Sequence, residues 1–359
     1  MNGTAFTRLF GADTDSCPDA PIIQAPMAGG ITTVELIGAV CDAGGLGSLG
    51  AGAMSADAII ATAAAIRRRT ARPFGINLFV LEPVAPDMTQ VLRAVALLAP
   101  LRIRLGLEPW QPPSRYCEDF AAQFAALVAC APPLASFTMG ILTRPQVAAL
   151  QSAGSLVMGT ATNVAEARAW QAVGADCVCV QGAEAGGHRG TFIGRCEDSL
   201  TGLVALVPQV ASAVTVPVVA AGGMMNGAGV AAALMLGAQA AQLGTAFLVT
   251  DEARIAPPWR ARLLAAVGDE TCVTRVFSGR GARALRNAFV DEFESVAAQL
   301  PDYPVHNALT QPIRAAAAQA GDAELLSMWA GQGAALCRPM GAAQLLQTLV
   351  RECDAALPV

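Results

Sequence analysis

The stretch VQGAEAGGHRGTF, Val180 to Phe192, sets His188, one of 2 histidines in 359 residues, behind an apolar run, CVCV, and among glycines. An imidazole with an ordinary pKa of about 6.5 can accept, donate or share a proton at neutral pH. It can also steady a small anion. Gly186 and Gly187 lack side chains, which would let a planar ring and a substrate approach the histidine closely. The competing reading is a loop histidine bonded to a backbone carbonyl. His306, in YPVHNALT with no glycine frame, fits that second reading better.

Other unusual residues suggest what His188 would act beside. Gly222 and Gly223 precede a helix expected to begin near Asn226, so their N–H groups and the positive helix end would form an anion nest. Gly244 and Thr245, after the following strand, could complete a phosphate cradle. A single glycine pair would mark no more than a tight turn; two at neighbouring strand ends point to a phosphate. No G-x-G-x-x-G follows the first strand, which argues against a dinucleotide and for a mononucleotide. Ala25, Pro26 and Met27 offer a flat apolar turn, and Asn77 and Gln181 offer amides to the polar edge of an isoalloxazine. Each amide could equally cap a loop. The 2 tyrosines, Tyr116 and Tyr303, fall in insertions and read either as pocket walls or as core.

The elements that must position these residues alternate as short apolar runs and alanine-rich helical segments. Eight candidate strands, PIIQAPM, GLGSL, FGINLFV, LASFTM, SLVMGTA, CVCVQG, VPVVAAGG and AAQLGT, predict an α/β fold: a (β/α)₈ TIM-type barrel with a smaller, mainly helical cap domain. An open doubly wound sheet is the alternative. The oddities fall at the C-terminal ends of the strands, where barrel enzymes build their sites. Asn163, Glu166 and Gly174 predict a helix with a capping box and a glycine stop. The pattern divides the chain into a barrel, 1–253, a helical-looking cap, 254–332, without a clear alternating strand run, and a returning helix, 333–359. The proline-flanked stretch from Leu81 to Phe120 reads as an extended excursion.

Composition narrows the function classes. The chain is 54% hydrophobic, but glycine and glutamine break every apolar stretch before it reaches the length of a spanning helix, so no membrane role is expected. No secretory signal is visible, and 10 cysteines without framework spacing read as reduced thiols in a cytoplasmic protein. Cys177 and Cys179 share a strand face without a completing ligand pair, so no metal is expected. A net charge of −5 and the lack of a basic stripe argue against nucleic acid. All 23 basic residues are arginine, which excludes lysine Schiff-base chemistry.

At these residues the sequence resembles the nitronate monooxygenases, formerly 2-nitropropane dioxygenases, and most closely their class I. The likeness runs through PIIQAPMAGG, FGINLFV, SFTMG, QGAEAGGHRGTF, AAGGMMNG, GAQAAQLGTAFL, YPVHNALTQPIR and SMWAGQG. It implies a barrel binding FMN through Ala25, Pro26, Met27, Asn77, Gln181, Gly186, Gly223 and Gln242 to Thr245, with His188 catalytic and Tyr116 and Tyr303 near the substrate. Any lysine the family places there is absent. The implied reaction takes an alkyl nitronate, such as propionate 3-nitronate, and dioxygen to a carbonyl compound and nitrite. His188 would hold the nitronate as imidazolium or take an α-proton from a neutral nitroalkane. GAEAGGH and AAGG also occur in FMN-dependent enoyl reductases, so an NAD(P)H-dependent reductase is the alternative; GHRGTF and WAGQG favour the monooxygenase. A monomer or homodimer is expected.

Overall fold

The computed structural model describes residues 4–11 and 17–358. Eight parallel strands close a barrel: β1 (Ile22–Met27), β2 (Leu46–Gly50), β3 (Gly75–Phe79), β4 (Leu134–Thr138), β5 (Leu156–Ala161), β6 (Cys177–Gln181), β8 (Val218–Ala221) and β9 (Ala240–Leu243). Closure is by β1 on β9, with Ile22 opposite Ala241. All eight expected strands are present, and the open-sheet alternative is excluded. Strands buried on both faces explain the continuous apolar runs. Side chains facing inward, among them Ile23, Met158, Cys177, Cys179 and Val219, fill the barrel, while outward ones meet the helices.

Helices between strands are fixed by local signals. Thr33, Ser55, Asn163 and Asn226 each cap a following helix through the side-chain oxygen. The expected capping box at Asn163 is only half formed. Asn163 accepts from the Glu166 N–H and Gly174 ends the helix at φ +98°, but the buried Glu166 carboxylate is used elsewhere. One oxygen accepts from the N–H and hydroxyl of Thr162 at 2.6 and 2.8 Å; the other accepts from the N–H groups of Phe192 and Ile193 at 2.5 and 2.8 Å. Glu166 therefore ties the end of β5 to the loop that follows His188.

The cap is not wholly helical. β10 (Thr271–Thr274) and β11 (Ala282–Leu285) form an antiparallel pair, and β11 also pairs with β7 (Gly187–His188) in a three-stranded sheet. These four-residue strands are too short, and too mixed in character, to show as an alternating run. Nor is the insertion after β3 only extended: Asp87 caps the helix Met88–Arg104. Val91, Ala94, Leu98 and Leu101 give it one buried face. That face joins the cap core with Phe277, Phe289 and Leu309. The C-terminal helix Ala342–Ala356 buries Leu345, Leu346, Leu349 and Cys353 in the core around the barrel. No helix of the described residues is long and apolar enough to cross a membrane.

Glu166→Ala would strip four donors of their acceptor. Charge-assisted bonds of this kind contribute about 1.5–3 kcal/mol each before compensation by water. The variant should therefore lose at least about 2 kcal/mol in urea unfolding, and a loss below about 0.5 kcal/mol would contradict the anchoring role.

Candidate active site

β7 sets His188 above the barrel mouth, opposite Ala282 of β11. The half-buried ring stands 5.3 Å from Tyr303, 5.1 Å from Trp329 and 6.3 Å from Phe79, centroid to centroid. Its Nε2 lies 2.8 Å from the Ser278 hydroxyl. The Gln181 amide reaches back to the same loop: Nε2 donates to the His188 carbonyl at 3.0 Å and Oε1 accepts from the Gly190 N–H at 2.9 Å.

Three arginines hold this loop by its carbonyls. Arg189, fully buried, donates to Gly182 at 2.6 Å and to Gln181 and Ser199 at 3.0 Å. Arg280 donates to the carbonyls of Arg189, at 2.9 Å, and Thr191. Arg283 donates to Ala183 at 2.9 Å. The planar guanidinium fork, with five donors, can bridge several carbonyls at once. Arg314 instead donates to Asn307 Oδ1 at 2.8 Å and Ser327 Oγ at 3.1 Å.

Burial lowers the His188 pKa to about 3, and the charges of Arg280 and Arg314 push the same way. This holds the ring toward its neutral form at neutral pH and, of the two roles expected of it, favours the proton-accepting one. Burial raises the Tyr303 hydroxyl to about 12, so it keeps its proton. Arg314 is lowered to about 10 by burial and still carries its charge.

The glycines do structural work that the sequence did not show. A Cβ on Gly186 would lie 2.6 Å from the backbone of Ala330 and Gly331, so this glycine admits the WAGQG segment. Gly187 has open space around it and is needed for its φ of +76°. Gly222 and Gly223, at φ +127° and +68°, turn beneath Ala185 and Glu184. The helix Gly227–Met235 does not point a free end at them. Its first N–H donates to Glu352 at 2.8 Å and that of Gly229 to Asn226 at 2.9 Å, so its positive end already meets a carboxylate. The candidate anion cradle narrows to the Gly222–Gly223 turn and Gly244–Thr245, where Thr245 opens the short helix Thr245–Leu248. Thr245 Oγ1 accepts from the Gly331 N–H at 2.9 Å and keeps its own proton to give.

Ala25, Pro26 and Met27 are half-buried at the mouth end of β1, and Asn77 is buried with Nδ2 on Ser136 Oγ at 3.0 Å. Gln242 Oε1 is enclosed without a hydrogen-bond partner, while its Nε2 reaches Cys179 Sγ at 3.4 Å. An orphaned acceptor at a strand end suits a ligand N–H. Leu243 buries its side chain in the core around the barrel, leaving only its backbone for a ligand. Tyr303 joins His188; Tyr116 packs against the cap core. His306 is fully buried, with Nε2 2.7 Å from the Val276 carbonyl, but it stands in the helix Val305–Ala320 and not in a loop.

Comparison with known proteins decides the family. The nitronate monooxygenase family model matches residues 13–352. The chain belongs to the nitronate monooxygenase family. Members of that family are flavin-dependent oxidoreductases, and the chain is accordingly an oxidoreductase with a TIM barrel. A probable nitronate monooxygenase from Staphylococcus aureus is 37% identical over 335 residues, 92% of this chain and 94% of the relative. A nitroalkane oxidase from Streptomyces ansochromogenes is 42% identical with a TM-score of 0.90, covering 98% of this chain and 99% of that one. FabK from Thermotoga maritima is 26% identical with a TM-score of 0.76, covering 99% and 97%.

Several residues at this mouth carried no sequence signal. Ser278, Arg280 and Arg314 lie in the cap and reach His188 only through the fold; Phe79 and Trp329 sat unmarked inside FGINLFV and WAGQG.

Both histidines titrate lower folded than unfolded, about 3 for His188 and about 4 for His306 against 6.5. The unfolded chain therefore binds more protons between these values, and stability falls as pH drops through that window. The thermal midpoint should decline from pH 7.5 to 5, and His188→Asn should flatten the decline. A wild-type midpoint independent of pH would contradict the burial of these rings.

Proposed function

We propose that this protein oxidises alkyl nitronates, propionate 3-nitronate among them, with dioxygen to the carbonyl compound and nitrite, and that its flavin is FMN. One observation carries the reading. The charges bearing on neutral His188 are Arg280 and Arg314, and both place their donors on uncharged acceptors. The Glu166 and Asp302 carboxylates offset Arg280 in part, whereas no carboxylate is among the charges acting on buried Arg314; positive charge only partly compensated beside a partly desolvated ring favours a small anion over its neutral parent. A nitronate is such an anion.

Gly222, Gly223, Gly244 and Thr245 would hold the FMN phosphate, and Ala25, Pro26, Met27, Asn77, Gln181 and Gln242 its ring, the last through its orphaned oxygen. When bound, FMN supplies the electron acceptor that imidazole and guanidinium groups lack. Tyr303, which keeps its proton, donates toward a nitronate oxygen, and His188 meets the substrate as an uncharged ring. Phe79, Tyr303 and Trp329 wall the ring from bulk water. The 10 free thiols fit a reducing cytoplasmic setting, and a monomer or homodimer taking a small nitro compound and dioxygen completes the reading.

Purified protein should be yellow and release nitrite from propionate 3-nitronate in air without NAD(P)H. Yellow protein that acts on no nitronate, yet turns over an enoyl thioester or quinone with NAD(P)H, would replace this reading with a reductase. His188→Asn should retain FMN and lose about a hundredfold or more in kcat/KM, the usual worth of a proton-handling group; unchanged turnover would remove the histidine from the chemistry.

A further inference from the structure

A neutral imidazole has one N–H and one lone pair, so which nitrogen carries the proton decides what the ring can offer a substrate. At His188 the surroundings settle this. Ser278, fully buried in the turn between β10 and β11, has its Oγ 2.8 Å from His188 Nε2 and 3.2 Å from the Arg280 carbonyl. A hydroxyl has a single proton. If it goes to the Arg280 carbonyl, Oγ accepts from His188 Nε2–H and both contacts are hydrogen bonds in one polarised chain. If it goes to Nε2, the carbonyl loses its donor and one bond disappears. The first arrangement makes more bonds from the same atoms. Its far end is also fixed, because the Arg280 side chain is anchored on the carbonyls of Arg189 and Thr191.

The other ring nitrogen is differently placed. His306 Nδ1 is enclosed without a partner, whereas His188 Nδ1 is not among the enclosed groups and is paired with no described residue. It is the ring atom open to a ligand.

We propose that Ser278 is a positioning residue that holds His188 in the Nε2–H tautomer, so that Nδ1 presents a lone pair to the substrate. This rests on the nitronate reading above and sharpens it. A lone pair at Nδ1 takes the α-proton of a neutral nitroalkane: the C–H bond breaks, the proton passes to Nδ1, and the electron pair remains on the nitronate. The imidazolium and the nitronate form together, facing each other as an ion pair. Preformed nitronate skips this step, so the two substrates depend on Ser278 to different degrees.

The chain's 2 histidines make the tautomer directly measurable in the FMN-loaded protein. In long-range ¹H–¹⁵N spectra of histidine-labelled protein at pH 7, both rings should show the Nε2–H pattern. His306 serves as the internal reference, since the carbonyl of Val276 accepts its Nε2–H at 2.7 Å. An Nδ1–H or doubly protonated His188 would overturn the proposal without any variant being made. Ser278→Ala should blur the His188 pattern alone. It should also lower the ratio of kcat/KM for nitroethane to that for ethyl nitronate by about tenfold, the order of one lost hydrogen bond. Ser278→Thr should restore both. Equal loss on both substrates, or a ratio that does not move, would reduce Ser278 to a packing residue. Absence of turnover with either nitro compound would defeat the nitronate reading, while the spectra would still decide the tautomer.

Discussion

The site depends on backbone carbonyls being gripped by guanidinium groups. The segment from Gln181 to Ser199 leaves the barrel, contributes two residues to the cap sheet and returns, with little regular structure of its own. Its carbonyls would be costly to bury unpaired. Arg189, Arg280 and Arg283 satisfy them from three directions, and the Glu166 carboxylate satisfies N–H groups on the far side. Arginine suits this use because it presents several donors in one plane and keeps its charge when buried. A chain whose 23 basic residues are all arginine has that device at every basic position.

Holding a loop with cations has an electrostatic consequence. Their hydrogen-bond partners here are mostly neutral carbonyls, and nearby carboxylates such as Glu166 and Glu184 offset their charge only through space, so part of the positive charge remains near the mouth. His188, half-buried and flanked by Tyr303, Trp329 and Phe79, is driven toward the uncharged form by that burial and by the neighbouring arginines. Structural demand and chemical character are linked: the groups that fix the histidine also set the charge a substrate meets. The cap belongs to the same unit, since β7 is completed by β11 and Trp329 comes from the segment packed on Gly186.

Most of the barrel was legible because a parallel sheet leaves a strong local imprint. Apolar runs end in glycine or amide residues, and PIIQAPM and AAQLGT carry their own boundaries. The position of His188 after CVCVQG was readable for the same reason. What escaped depends on residues far apart in the chain. Glu352 occupies the first N–H of the helix beginning at Gly227, a contact across 125 positions, so the sequence pattern suggested a free helix end where none exists. Ser278 and Arg280 meet His188 only once β10 and β11 pair, and those strands were too short to announce themselves. Gly186 showed that a glycine was required, but not that the backbone of Ala330 and Gly331 was the reason.

In the proposed reaction a neutral histidine beside partly compensated arginines serves a flavin that takes electrons from a nitronate. Anaerobic stopped-flow mixing tests it most directly, because the flavin's own visible absorbance reports which compound reduces it. Propionate 3-nitronate should change that absorbance within the time of a turnover, while NADH and NADPH leave it unaltered. Bleaching by a reduced nicotinamide, with none by the nitronate, would contradict the account.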